Sequence, residues 1–133
     1  MESVPESASR EMLSGIEHIS KLLAVLLAES ENYAYIDRLA YSQSRDLAIF
    51  YVREALRDFH SIANRGWRNE KAAGKAREIN MYLVDRGIKD MGRISGMKEL
   101  REVVSLITSR ALAIAAPLMR KEEEEVTSPT SSS

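Results

Sequence analysis

Apolar residues recur at spacings of three and four through most of this chain, the signature of helices that bury one face. In the first such run, Met12, Ile16, Ile19, Leu22, Leu23, Leu26 and Leu27 share a face and predict a helix from about Ser9 to Ala28. Ser7 or Ser9 is placed to cap it. Gly15 weakens it by about 1 kcal/mol relative to alanine. Glu29-Ser30-Glu31-Asn32 reads as a connection, and a short helix from Tyr33 to Tyr41 follows, with Tyr33, Ile36, Leu39 and Ala40 on one side. Ser44 then caps a long third helix ending near Asn64, with Leu47, Ala48, Val52, Ala55, Leu56, Phe59, Ile62 and Ala63 as its apolar positions.

Arg65-Gly66-Trp67-Arg68-Asn69 is the clearest break, and Gly66 stands where a C-cap glycine belongs. Beyond it, Ala72, Ala76, Ile79 and Leu83 mark one face of a helix from Glu70 to Asp85, which Gly87 ends. Ile79, Met81 and Leu83 also alternate, so a β-hairpin within 79–94, turning at Asp85-Arg86-Gly87, is the alternative. Strong helix formers over Glu70 to Glu78 favour the helix. Gly87, Gly92 and Gly96 predict a loop or broken turn over Ile88 to Gly96. The last helix runs from about Met97 to Arg120 on Leu100, Val103, Val104, Ile107, Ala111, Ile114, Ala115 and Leu118, and Pro117 should kink or end it near Ala116.

The expected fold is mainly α, a single-domain bundle of about five helices over residues 9–121. A flexible stretch at 1–8 and a disordered acidic, Ser/Thr-rich tail at 122–133 flank it. A length of 133 residues with 44% apolar and 29% charged positions suits one globular core. The apolar stretches Leu22 to Ala28 and Ala111 to Met119 are short for a membrane span, and residues 1–10 lack a signal-peptide pattern. With no cysteine, a disulfide framework and a thiolate metal site are both excluded, and a cytoplasmic protein is expected.

Little here points to catalysis. The two histidines, His18 and His60, have no ligand-spaced partners, and Gly74-Lys75 is followed by Ala76 rather than by the hydroxyl of a phosphate loop. There is no Gly-x-Ser-x-Gly elbow and no dinucleotide fingerprint. Glu54 and Asp58 share a helix face but have Arg53 and Arg57 beside them, so surface pairing is the simpler reading. A non-enzymatic chain without cofactor or metal is expected.

Charge is polarised. Residues 1–37 hold seven acids and two bases, whereas residues 65–98 hold nine bases and four acids. Within the basic part, Arg65, Trp67, Arg68, Lys71, Lys75 and Arg77 set an aromatic plane among cations. A base can stack on tryptophan while lysine and arginine meet phosphates. The plainer reading is that Trp67 closes the core at a helix corner and the cations keep the surface wet. Tyr33, Tyr35 and Tyr41 fit either a contact surface or a plug between helices.

Three passages resemble the small subunit of archaeal type I-A CRISPR surveillance complexes: IEHISKLLAVLLAESENYAYIDRLAYSQS, RDLAIFYVREALRDFHSI and VVSLITSRALAIAAPL. The resemblance implies a non-catalytic helical subunit, present in several copies, that helps hold the guide–target hybrid or the displaced DNA strand. Its implied partners are other complex subunits, guide RNA, target DNA and further copies of itself, with no membrane. Arg65 to Gly96 is the least similar stretch, and a strand-containing insert there is what the family implies. Two readings of other classes stand beside it. One is a helical DNA-binding regulator using Glu70 to Asp85; the other is a protein-only adaptor using the last helix.

Overall fold

In the computed structural model, residues 10–120 are described, and they form six helices: α1 (Arg10–Ser30), α2 (Ala34–Ala40), α3 (Arg45–Arg65), α4 (Glu70–Ala76), α5 (Met81–Met91) and α6 (Met97–Met119). The stretches expected to be flexible at 1–8 and disordered at 122–133 lie outside the described residues. The mainly helical bundle is the fold observed, with one helix more than anticipated.

α1 is the hub. The sequence pattern gives it one apolar face, yet Ala24, Val25 and Ala28 are buried as well, so every residue from Leu22 to Ala28 is at most 2% exposed. A helix that is apolar all round needs cover on every side. The other five helices supply it, each packing on α1, with α6 and α5 the most extensive. Ser20, wholly buried, puts its hydroxyl 2.8 Å from the Ile16 carbonyl oxygen and 3.2 Å from that of Ile107, tying α1 to α6 without an orphaned polar group.

Where α1 meets α5, the two glycines touch. A Cβ added to Gly15 would lie 2.5 Å from the Cα of Gly87, and one added to Gly87 would lie 2.9 Å from the carbonyl carbon of Gly15. Gly87 therefore does not end a helix as expected; it sits inside α5 and lets the backbones meet.

The expected helix from Glu70 to Asp85 is two helices. Asn80 adopts extended backbone and its side chain accepts hydrogen bonds from the amides of Tyr82 and Leu83, which starts a new helix there. Residues 81–91, within the span considered for a hairpin, are helical, and no strand occurs among the described residues. The loop expected over Ile88 to Gly96 is confined to the last few of those residues, because α5 runs on to Met91.

Ser44 caps α3 as expected, accepting from the Leu47 amide at 3.1 Å. Gly66 ends it at φ 114°, a backbone position that disfavours any side chain. Pro117 does not stop α6 at Ala116. The carbonyl of Ala113, which Pro117 cannot satisfy, belongs to an exposed residue that water reaches, and the helix continues to Met119. By length and apolar content α6 resembles a membrane span, contrary to the sequence expectation. Its Leu100, Val103, Ile107, Ala111 and Ala115 are buried, however, as in a core helix.

Of the three tyrosines, Tyr35 is half-buried and donates to Asp58 at 3.0 Å, while Tyr33 and Tyr41 are exposed. Burial, then the bond to Asp58 and its charge, push the Tyr35 hydroxyl up to about 12, so it stays a donor. Tyr35 is thus the plug, and Asp58 its acceptor. Glu54 pairs with Arg57 on the outer face of α3.

His18 fastens the α4–α5 junction. Its Nδ1 accepts from the Asn80 amide at 3.1 Å, which requires that nitrogen to be unprotonated. Burial, then the charge of Lys21, lower its pKa, and Glu17 opposes them. The unfolded chain therefore takes up this proton first. Stability from this group is complete above the ordinary histidine value of about 6.5 and declines as pH falls from there toward the folded value. We expect the thermal midpoint to fall over that acidic window in the native chain and less so in His18→Gln. Equal pH profiles for the two would show that the bond contributes nothing.

Candidate nucleic-acid interface

The six residues expected to meet nucleic acid run from the corner between α3 and α4 to the far end of α4, and Glu29 of α1 builds that corner. Its side chain is 7% exposed and accepts from two consecutive backbone amides, Arg68 at 2.8 Å and Asn69 at 2.9 Å. Asn69 then caps α4 by accepting from the Ala72 amide at 2.9 Å. Its own amide nitrogen lies 3.3 Å from the Ala28 oxygen and 3.1 Å from the Leu118 oxygen. One asparagine thereby holds the ends of α1 and α6 against the start of α4.

This frame brings three of the six residues together. Arg65 and Arg68 line a shallow groove of about 480 Å³ with Glu29, Ser30, Ile62 and Gly66. Arg68 also lines a neighbouring groove of about 390 Å³, with Lys71, Arg120, Glu31 and Glu70 among its walls. Arg65, Arg68, Lys71 and Arg120 are all exposed, so they form one patch running from the end of α3 across the start of α4 to the end of α6. The Lys71 ammonium donates to the Arg120 carbonyl oxygen at 3.3 Å. Three acids share the patch: Glu29 reaches the Arg68 Nε at 3.8 Å, and Glu31 and Glu70 line the second groove. The Arg68 side chain is nevertheless 85% exposed and open to an outside anion.

The other three residues are placed differently. Trp67 is half-buried against the core, its ring 5.4 Å from that of Phe59, and it closes the corner instead of standing free on the surface. Lys75 pairs with Glu78 at 3.1 Å, and the same carboxylate lies 3.8 Å from Lys21. Arg77 is exposed at the C-terminal end of α4. Arg120 is the patch member that the sequence reading missed. It lies far along the chain from the basic stretch, and only the docking of α6 beside α4 brings it in.

Among the described residues, no three of His, Cys, Asp and Glu gather where a metal could be held. His60 is exposed on α3 with its ring edge-on to Phe59. With α4 only seven residues long, the continuous Glu70 to Asp85 helix that a major-groove regulator would use is absent.

Fold and patch together define a compact helical bundle with a mixed-charge, cation-rich corner. The chain belongs to the same family as an uncharacterized protein of Archaeoglobus fulgidus, to which it is 45% identical over 103 residues, covering 77% of this chain and 89% of that protein. No described family model matches the chain, and no solved structure matches it.

Proposed function

We propose that the protein is a non-catalytic small subunit of an archaeal type I-A CRISPR surveillance complex, acting in the cytoplasm and touching guide–target hybrid or displaced single strand through the α3–α4 corner. The observation that carries the reading is the exposed run Arg65, Arg68, Lys71 and Arg120, held in place from beneath by Glu29 and Asn69. An archaeal relative and a fold of six helices are consistent with it. In such a complex base pairing reads sequence, and the protein contributes cations along the backbone. Trp67, tucked on Phe59, serves the corner's shape in this reading, and stacking falls to other residues.

Binding to single-stranded DNA at low salt is expected, weakening as salt rises with a slope of about 0.7 per phosphate contacted. The variant Arg65→Glu, Arg68→Glu, Lys71→Glu should reduce it by at least about tenfold while the helical circular-dichroism signal is retained. Unchanged binding in a folded variant removes the corner from the interface. Co-purification of tagged protein with guide RNA and large subunits tests the complex itself.

A protein-only adaptor is the second reading. It is favoured by Leu112, 41% exposed on the outer side of α6, and by the three acids among the corner cations. Absence of nucleic-acid binding at low salt, with capture of protein partners alone, would select it.

A further inference from the structure

We infer that α5 carries a second nucleic-acid contact, a stripe formed by Tyr82, Arg86, Lys89 and Arg93 that follows a single strand with a base stacked on Tyr82. The inference rests on the reading that this protein works on nucleic acid, but on different residues from those at the corner.

The stripe exists because residues 81–91 are helical. Steps of four and three bring Tyr82, Arg86 and Lys89 back to one side, within about 60° of arc at 100° per residue, and Arg93 follows just beyond the helix end. Arg93 stands two residues past the helix end, in a tight turn whose Arg93 amide donates to the Asp90 oxygen at 3.0 Å. The opposite side, Val84, Gly87, Ile88 and Met91, is buried, so the stripe faces outward. It spans about 16 Å at 1.5 Å per residue.

Exposure and chemistry agree with that direction. Tyr82 is 67% exposed, an aromatic ring left in water with its hydroxyl 3.4 Å from the Arg86 guanidinium. The Lys89 and Arg93 side chains are 68% and 79% exposed. Their acids lie on the flanks: Asp85 meets Lys89 at 3.3 Å from one side and Asp90 meets Arg93 at 3.4 Å from the other. The Asp85–Lys89 pair is exposed on both sides, so it holds weakly, is screened by salt and leaves Lys89 open to a phosphate. Asp90 is buried, at 11% side-chain exposure, and an anion reaches Arg93 from the solvent side, where its guanidinium stands in water. An outward aromatic with cations spaced along one line is the arrangement that single-strand binders use, because every base has a face to stack and every backbone unit a charge.

The experiment is fluorescence anisotropy of a labelled oligothymidine of about 20 nucleotides with the full chain, in parallel with anionic phosphatidylserine vesicles. Tyr82→Ala should weaken oligonucleotide binding by between about 5- and 150-fold, and Tyr82→Phe should restore most of it. Lys89→Gln with Arg93→Gln should lower the salt slope by about 1.4, with thermal melting confirming the fold. If these variants bind as the native chain does while the corner variant fails, the stripe is refuted and the corner stands. Loss in the stripe variants alone supports the stripe and refutes the corner. No oligonucleotide binding by the native chain refutes both. Stronger, equally variant-sensitive binding to vesicles would overturn the choice of nucleic acid.

Discussion

Gly15→Ala should destabilise the protein by about 2 kcal/mol or more, although alanine is the better helix former by about 1 kcal/mol. The added methyl would stand 2.5 Å from the Cα of Gly87 and 2.8 Å from its amide nitrogen, and both are main-chain atoms of a helix. No rotamer change relieves such a contact, so α1 and α5 must move apart and give up packing along their whole crossing. Denaturant titration should show the loss directly, and the thermal midpoint should drop by roughly 5–10 °C. Gly87→Ala should behave alike, meeting Gly15 and the Cδ1 of Ile19. The double variant should cost less than the two singles added, since the helices separate once. A Gly15→Ala protein as stable as the original would mean the crossing is looser than the geometry describes.

Glu29→Ala should cost about 3 kcal/mol. The carboxylate is the shared acceptor for the Arg68 and Asn69 amides, and charge-assisted bonds contribute about 1.5–3 kcal/mol each without adding fully. Its pairing with the Arg68 side chain matters little, because that guanidinium is mostly in water. Glu29→Gln keeps one acceptor oxygen and should recover part of the loss. Hydrogen exchange gives the specific readout: protection should vanish at residues 68 and 69, between α3 and α4, before α1 itself loosens. If exchange there is unchanged in Glu29→Ala, the corner is held by the Asn69 side chain alone.

Three of the helices could be read from the sequence almost to their ends, because α1, α3 and α6 have long runs at spacings of three and four and α3 has a serine cap and a terminal glycine. The α4–α5 region was harder for two reasons. Helix formers from Glu70 to Glu78 carried the expectation past Asn80, although an asparagine ahead of Met81, Tyr82 and Leu83 is itself a start signal. A glycine at position 87 also looks like punctuation in the sequence, whereas its role there depends on Gly15, a partner that no local window contains. The corner was half legible. Charge clustering found Arg65, Arg68 and Lys71, but Arg120 joins them only through tertiary packing, and Trp67 turned inward to Phe59, a residue already on the apolar face of α3. The α5 stripe was hidden by the same glycine, since a loop over Ile88 to Gly96 has no faces.

That α1 comes first and α6 last in the order of helices has a consequence during synthesis. Ser20 and Ile107, which meet through one hydroxyl, are 87 positions apart. A ribosome releases the leucine-rich hub long before the segment that shelters its largest side, so the nascent polypeptide carries a greasy rod with one flank bare even after α2 to α5 have emerged to cover the others. Mature packing must wait for α6 to emerge, and until then that bare flank is apolar surface of the kind through which unfinished chains stick to their neighbours.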